Sequence, residues 1–363
     1  MDILNPTLLR AALDVALVLT AVSALVLAVI VGVRLSAQAE ADRAAAFRRE
    51  TEPLVTAYLA GREEAGRVVS ALQRDPVHGL ATLMEISDRL EPQDRGPLAA
   101  LFASLPLREK EAAALQHGNW QRRLQAAERL GYLGDGVSVP ALLDALQDPV
   151  LAVRFAAARS LASLGESRSI AQIVLTFDLP GEMNQRRVAD TLHGFGPAAI
   201  QPLLQVLANP HGTYSDNAID VAARVLGMLR APEAVEPLTE LLGRSDFRVR
   251  LNAVRALGQI GDHGTGEAIA RLANDPAWEV RNVVMQSLGK LRAARHLDLL
   301  TSGLRDTSWW VRFSAARALW ELGDRGREAL TTAMTGDADR FARDTCRQIL
   351  EEHGAIAARE TQS

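Results

Sequence analysis

The residues that could carry chemistry are few and scattered along the chain. There is one cysteine, Cys346, so an internal disulfide and a multi-cysteine metal site are both excluded. No glycine-rich phosphate loop, H-E-x-x-H or G-x-S-x-G pattern is present. The seven histidines lack the spacing of a metal or nucleophile motif: His78, His117, His193, His211, His263, His296 and His353. We therefore expect no catalytic residue, no metal site and no cofactor, and we predict that the protein is not an enzyme.

Arginine and aspartate recur at fixed spacing, which has two interpretations. The recurring arginines are Arg123, Arg154, Arg250, Arg281, Arg312 and Arg343, and aspartate stands six residues before several of them, at Asp148, Asp275, Asp306 and Asp337. A row of arginines could bind anions. Regularity across units instead favours a structural role, in which these residues pair between neighbouring units and satisfy loop carbonyls. We predict the structural role.

A row of leucines shows that the whole second part of the chain is repetitive. The interval is 31 residues, with one interval of 34, between Leu130, Leu161, Leu192, Leu226, Leu257, Leu288, Leu319 and Leu350. Four residues after each leucine stands a glycine, except where Arg230 and Arg292 replace it. Such self-similarity indicates a repeat array. Only 4% of residues are aromatic while 48% are hydrophobic, which fits packed helices rather than sheets.

Each repeat predicts a pair of helices, as residues 306–336 illustrate. Asp306 caps a first helix whose apolar stripe includes Val311 and Leu319, Gly323 ends it, and a second helix follows. Helices this short become stable only by stacking. We predict an all-α fold, an α-solenoid of about eight 31-residue helix-pair repeats preceded by one transmembrane helix and a helical cap.

The repeat signature D-x-x-x-x-V-R-x-x-A-A-x-x-L-x-x-[LI]-G resembles the short HEAT-like repeats of the phycobilisome-lyase type. Its fullest copy is Asp306, Val311, Arg312, Ala315, Ala316, Leu319, Leu322 and Gly323. The resemblance covers residues 118–354 and implies a bacterial solenoid protein. The deoxyhypusine hydroxylases, a related enzyme family, bind iron through His-Glu dipeptides, and this chain has none. Phycobilin lyases share the repeat type, so a lyase-type enzyme or enzyme subunit acting on a chromophore or modified protein is the alternative function. That alternative predicts a cluster of acid and base groups, which the sequence does not reveal.

Residues 15–33 predict a membrane anchor. They contain no charged side chain, and as a helix they rise about 28 Å, close to the roughly 30 Å hydrocarbon core of a bilayer. A cleavable signal peptide is the alternative, because Ala37-Gln38-Ala39 is similar to a cleavage site, but the apolar run is too long and Arg34 too near the cut. Arginine is more frequent after the span than before it. This predicts a single-pass protein of the inner (cytoplasmic) membrane with its repeats in the cytoplasm.

Small residues within the predicted span recur every four positions. They are Ala16, Thr20, Ala24, Ala28 and Gly32. Because small side chains allow another helix to approach closely, we predict that this row pairs with a transmembrane helix. Chance in an alanine-rich chain is the alternative.

The chain therefore divides into four predicted segments. Residues 1–34 form the transmembrane anchor, and residues 35–117 form a juxtamembrane helix and a divergent helical cap of about four short helices. Residues 118–354 form the HEAT-like repeat solenoid, and residues 355–363 form a flexible tail.

Contacts with a partner are expected where the repeat pattern is interrupted. The three-residue insertion lies within residues 209–217, and His211 and Tyr214 are its contact candidates. Neutral drift in a tolerant loop is the alternative there.

Aromatic residues are sorted by their repeat position. One slot is filled by Trp120, Phe247, Trp278 and Trp309, and repeated filling by large aromatics indicates packing. Trp310 has small or polar counterparts in most units, but the next unit has Phe341 there, so we expect these two to form an exposed apolar patch. Trp320 replaces a glycine that recurs in other units and is a further contact candidate.

Charge and architecture together predict the function. The net charge of −4 argues against a nucleic-acid partner, which would require a basic face. The predicted function is a membrane-anchored protein-interaction scaffold that holds or regulates a protein partner at the inner membrane. A membrane enzyme complex is the candidate partner.

Overall fold

The computed structural model describes residues 6–91, 94–134, 138–178, 181–209 and 212–360, and the regular elements in these ranges are all helical. The described helices belong to two compact units. The first unit contains Met1–Ala113 and Tyr132–Asp135, and the second contains Ala114–Gly131 and Gly136–Ser363. The predicted all-α fold is confirmed for the described ranges.

The first unit begins with one very long helix, α1 (Pro6–Leu59). Its 54 residues extend for about 81 Å, so the predicted span and the juxtamembrane segment form one continuous helix. The portion Leu19–Leu59 is long and apolar enough to cross a membrane, and its most apolar window is fully exposed. Length and composition alone are a weak indication, because a signal sequence near the N-terminus has the same properties.

Four short helices complete the first unit: α2 (Ala65–Leu72), α3 (Pro76–Arg89), α4 (Leu98–Ala103) and α5 (Arg108–Ala114). Asp75 and Pro76 begin α3, where the Asp75 carboxylate accepts a hydrogen bond from the His78 N–H at 3.2 Å. The last turns of α1 pack on α2 and α3 around buried Val55. An ion pair of 2.8 Å between Arg89 and Glu52 fixes the same contact at the surface.

The second unit alternates two kinds of helix. The first helix of each repeat carries the leucine of the sequence row. These first helices are α6 (Trp120–Leu133), α8 (Leu151–Ser163), α10 (Glu182–His193), α12 (Asp216–Met228), α14 (Phe247–Ile260), α16 (Trp278–Lys290), α18 (Trp309–Glu321) and α20 (Arg340–Glu360). The second helices are α7 (Ser138–Ala145), α9 (Ile170–Thr176), α11 (Ile200–Ala208), α13 (Val235–Leu241), α15 (Gly266–Ala270), α17 (Leu297–Gly303) and α19 (Asp324–Gly336).

Consecutive first helices pack side by side and share the core of the array. The row leucines from Leu130 to Leu319 are completely buried, whereas Leu350 in the last helix is partly exposed. A Cβ atom at Gly227 would lie 2.6 Å from the Ala256 Cα, so a glycine is required for α12 to approach α14 this closely. The recurring leucine thus forms the core, and the glycine sets the spacing between helices.

The predicted helix ends are also present. Gly323 has a φ of +76° directly after α18, a left-handed conformation that glycine adopts without steric cost. Arg292 has a φ of +46° at the equivalent position after α16, so a side chain is held there in a conformation unfavourable for it. Gly354 differs, because α20 continues through it and ends the array without the recurring turn.

Candidate functional site

The recurring arginines and aspartates bind each other between neighbouring repeats. Arg250 donates from Nε and Nη2 to the two carboxylate oxygens of Asp275 at 2.7 and 2.9 Å. Its Nη1 donates to the carbonyls of Arg244 and Ser245. Equivalent ion pairs join Arg123 with Asp148 and Arg281 with Asp306. The predicted structural role is confirmed for these residues.

The electrostatics of these pairs agree with that role. Burial would raise the pKa of Asp275, but the hydrogen bonds from Arg250 and from the Ala277 N–H outweigh it and lower the pKa below its ordinary value of 3.8. The carboxylate is therefore charged and fully engaged at neutral pH. Because Arg250 is bound to this carboxylate, it is not available to bind an external anion.

A cluster of exposed aromatic side chains lies on the first helices of the last two repeats. We call Trp309, Trp310, Phe313 and Phe341 the aromatic surface. Trp310 and Phe341 are 56% and 62% exposed. Trp309 meets Trp310 edge-on, with ring centroids 4.8 Å apart, and stacks on Phe313 at 5.1 Å. These contacts order an apolar surface on α18, and Phe341 adds an exposed ring on α20.

The slot assigned to packing is more exposed than predicted. Its occupants remain 37–42% exposed, and they are Trp120, Phe247, Trp278 and Trp309. The prediction of a pure packing role is wrong because this slot lies at the start of each first helix, where the neighbouring repeat covers only part of a large ring. Trp309 therefore contributes to the aromatic surface.

The other predicted contact residues lie apart from that surface. Trp320 stacks on His353 with ring centroids 4.5 Å apart and is only partly exposed. In the insertion, the Tyr214 backbone exchanges two hydrogen bonds with the Asn209 side chain, at 2.8 and 3.0 Å, which holds the loop closed. His211 lies outside the described residues.

The small residues of the predicted span lie on an uncovered helix. Ala16, Thr20, Ala24, Ala28 and Gly32 are all exposed on α1, and nothing lies within 4 Å of a Cβ built at Gly32. The Thr20 hydroxyl donates to the Ala16 carbonyl at 3.0 Å, so its polar group is satisfied within the helix. Helix pairing through this row stays a prediction.

The structure brings together a group of polar side chains that the sequence did not reveal. Asn252 Nδ2 on α14 donates a hydrogen bond to Asp220 Oδ1 on α12, and Arg255 Nη1 donates to Asn252 Oδ1 at 2.6 Å. Asp220 is 2% exposed, and the guanidinium of Arg224 lies near enough to affect its charge. We call Asp220, Arg224, Asn252 and Arg255 the polar centre.

Burial determines the protonation of the polar centre. It raises the pKa of Asp220 above its ordinary value of 3.8, although the Asn252 hydrogen bond and the nearby arginines act in the opposite direction. Arg224 Nε is buried and has no hydrogen-bond partner among the described residues. Burial thus favours the protonated carboxyl group of Asp220, whereas the Asn252 hydrogen bond and the guanidinium groups nearby favour the carboxylate.

One sequence signal could have indicated this centre. Asp220 occupies a repeat slot that holds Leu124, Phe155, Leu251 and Phe313 in other units. Because Arg186, Asn282 and Asp344 fill the same slot in the remaining units, this signal is weak. The sequence could not show that Asn252, 32 residues away, covers it.

The remaining candidates for chemistry are inert. Cys346 is fully buried, and burial raises the pKa of its thiol to about 11, which suppresses the reactive thiolate. Within the described ranges, no three His, Cys, Asp or Glu side chains are grouped so that they could hold a metal ion.

Stacked helix pairs joined by repeating ion pairs define a helical repeat protein. The family model for HEAT repeats matches residues 110–176, 200–283 and 265–351. These matches cover more than half of the chain, which therefore belongs to the HEAT repeat family.

Two curated proteins are similar to this chain in sequence. The phycocyanobilin lyase subunit alpha of a Nostoc species is 26% identical over 194 residues, which are 53% of this chain and 62% of the relative. The subunit of the same name from a Picosynechococcus species is 29% identical over 200 residues, which are 55% of this chain and 65% of the relative. The chain thus spans less than two thirds of the length of either relative.

Solved structures show similarity at a lower level. The complex of CpcE and CpcF of phycocyanin lyase from Nostoc sp. contains a chain that is 19% identical to this one. The match covers 66% of this chain and 94% of the other, with a TM-score of 0.34.

These relatives contradict one prediction from the sequence and favour one of the two functions considered there. The prediction that the protein is not an enzyme is wrong, because both curated relatives are subunits of a lyase. The same relationship favours the lyase-type alternative over the membrane scaffold.

Proposed function

We propose that this protein is a subunit of a lyase-type enzyme that acts on a chromophore or a modified protein. The observation that carries the proposal is the similarity to two phycocyanobilin lyase alpha subunits over more than half of the chain. The repeat array supports it as a broad, preformed surface for a protein substrate or a second subunit.

The polar centre supplies the chemistry in this proposal. For a lyase that works in the direction of addition, a nucleophile H–X adds across a double bond: X bonds to one atom and the proton of H–X reaches the other, without any oxidant. In this proposal Asp220 acts as the general acid once the Asn252 side chain that covers it moves aside, and burial raises the pKa of Asp220 above its ordinary value of 3.8. Arg224 lies beside it and stabilises negative charge that develops on the acceptor.

The long helix α1 gives the proposed enzyme its location. It anchors the chain in the inner membrane, with the arginines after the span on the cytoplasmic side. A membrane-associated protein partner is the natural substrate carrier or second subunit for an enzyme attached in this way.

The test compares modified proteins in cells that contain different forms of the chain. Wild type, Asp220→Asn, Asp190→Asn and a deletion strain are compared after detergent extraction, and co-purifying proteins are analysed by intact-mass spectrometry. Asp190 is the matched control, because it is an exposed carboxylate on a first helix. We expect a covalent adduct on one co-purifying protein with wild type and Asp190→Asn, and its loss with Asp220→Asn.

The outcomes separate the two parts of the proposal. Identical masses of all candidate proteins in wild-type and deletion cells would overturn the lyase function. An adduct that depends on the chain but persists in Asp220→Asn would remove Asp220 as the proton donor. If Asp220 is the acid, the rate of adduct formation falls as the pH rises through its raised pKa, because only the protonated carboxyl can donate.

A further inference from the structure

The pairing of arginine with aspartate seen at Arg123, Arg250 and Arg281 is absent at Arg312, although an aspartate stands at the matching position. In the regular pattern each arginine binds the aspartate 25 residues further on through Nε and Nη2, as Arg250 binds Asp275 and Arg281 binds Asp306. By this rule Arg312 should bind Asp337. Instead Asp337 accepts both of its arginine hydrogen bonds from Arg305, at 3.0 Å to Nε and 2.9 Å to Nη2.

Arg312 is therefore left with an incomplete set of partners. Its Nη1 donates to the carbonyls of Asp306 and Thr307 at 2.8 and 3.2 Å, as in the other repeats. Its Nε is buried and has no acceptor in the part of the chain that the structure describes. Because the residue is only 9% exposed, water compensates poorly for this missing acceptor.

One ring of the aromatic surface, Phe341, lies over this guanidinium. The Phe341 ring centroid lies 5.2 Å from Arg312 Cζ, which is within the range of a cation–π contact. Phe341 is itself 62% exposed, and Trp310 on α18 is 56% exposed. An exposed ring beside an incompletely paired arginine is complementary to an apolar group that carries a carboxylate. Trp and Arg are also the residues that most often dominate binding energy in protein interfaces.

We propose that the aromatic surface and Arg312 bind a segment of a partner protein in which an Asp or Glu lies next to an aromatic or aliphatic side chain. The carboxylate pairs with the Arg312 guanidinium as Asp275 pairs with Arg250, and the apolar side chain packs on Trp310 and Phe341. The high exposure of these rings favours a protein segment over a small molecule, because small-molecule sites bury most of the ligand in a concave pocket. This inference rests on the proposed function. It specifies which chemical groups a partner protein of the proposed enzyme subunit presents to this surface.

The test is a selection from a random dodecapeptide display library on the full-length protein in detergent. We expect the enriched peptides to contain an acidic residue beside an aromatic or aliphatic one. An enriched peptide is then synthesised together with its copy in which Glu is replaced by Gln, and both affinities are measured by fluorescence anisotropy. The acidic peptide should bind wild type about tenfold more tightly than the amide copy, as expected for a charge-assisted hydrogen bond.

A variant that leaves Arg312 in place gives the sharpest comparison. Arg305→Ala frees Asp337 to bind Arg312 as in the other repeats, so the tenfold preference for the acidic peptide should disappear. Trp310→Ala should weaken both peptides, and Trp278→Ala, in the slot of Trp309 but on α16, should weaken neither. Circular dichroism melts establish that each variant is folded.

Two results would overturn the proposal: enrichment without acidic residues, or an acid preference that Arg305→Ala leaves unchanged. Neither result affects the adduct assay of the polar centre. Loss of the adduct-forming function with retained peptide binding would leave this docking surface intact and refute only the enzymatic proposal.

Discussion

The ion pair between Arg250 and Asp275 makes a quantitative prediction about the cohesion of the array. The side chains of this pair are only 11% and 2% exposed, and Asp275→Ala leaves Arg250 Nε and Nη2 without their acceptors. Breaking a buried pair by removing one partner costs about 3–5 kcal/mol. Because Arg250 keeps two carbonyl partners, at 2.8 and 2.7 Å, we expect the lower limit, about 3 kcal/mol.

This loss should be visible globally and locally. For a unit of this size, about 3 kcal/mol corresponds to a fall in melting temperature of roughly 6–12 °C. Because each repeat touches only its neighbours, the amides of α14 and α16 should lose protection against hydrogen exchange more than those of α8. Asp324→Ala is the control, because the side chain of Asp324 is 99% exposed and its ion pair with Arg327 is at the surface.

The pH dependence gives an independent check with a defined sign. The pKa of Asp275 is lower in the folded chain than its ordinary value of 3.8, so the pair stabilises the fold above that value. The stabilisation is lost as the pH falls through the folded-state pKa. The difference in stability between wild type and Asp275→Ala should therefore be constant near neutral pH and decrease below about pH 3.8. Equal melting temperatures for Asp275→Ala and Asp324→Ala, with unchanged exchange in α14 and α16, would refute the argument.

Two further predictions concern the backbone. Arg292→Gly should raise the melting temperature by about 1–2 °C in a thermal melt. Glycine relieves the unfavourable left-handed conformation at φ +46°, and this gain exceeds the cost of the more flexible unfolded chain. An unchanged or lower melting temperature would contradict this. Gly227→Ala should lower it, although alanine is the better helix former by about 1 kcal/mol, because the new methyl group overlaps the Ala256 Cα at 2.6 Å. Gly336→Ala meets nothing within 4 Å, so only a fall confined to Gly227→Ala supports the close approach of α12 and α14.

The repeat scaffold was predictable because it depends on local, recurring patterns. A leucine at each 31-residue interval determines which face of every first helix is buried, and Leu257 and Leu288 are completely buried as expected. An ion pair such as that between Arg281 and Asp306 was also predictable, because equivalent loops in neighbouring repeats need equivalent hydrogen-bond partners.

The candidate sites were predictable only in part. The exposed position of Trp310 and Phe341 followed from comparing the same slot in different repeats. The polar centre did not, because Asp220 becomes buried only when Asn252 of the next repeat folds over it. Sequence spacing gives no information about which of several polar side chains within reach will cover a carboxyl group.

The sequence by itself determined the helical repeat, the direction in which each stripe of leucines faces and the long apolar helix at the N-terminus. These features depend on periodicity and composition within one or two helical turns. The tertiary structure decided that Arg305 rather than Arg312 binds Asp337, and that Asp220 is buried beside arginines. Both outcomes depend on competition between side chains of different repeats for the same partner, and such competition is settled only by three-dimensional distance.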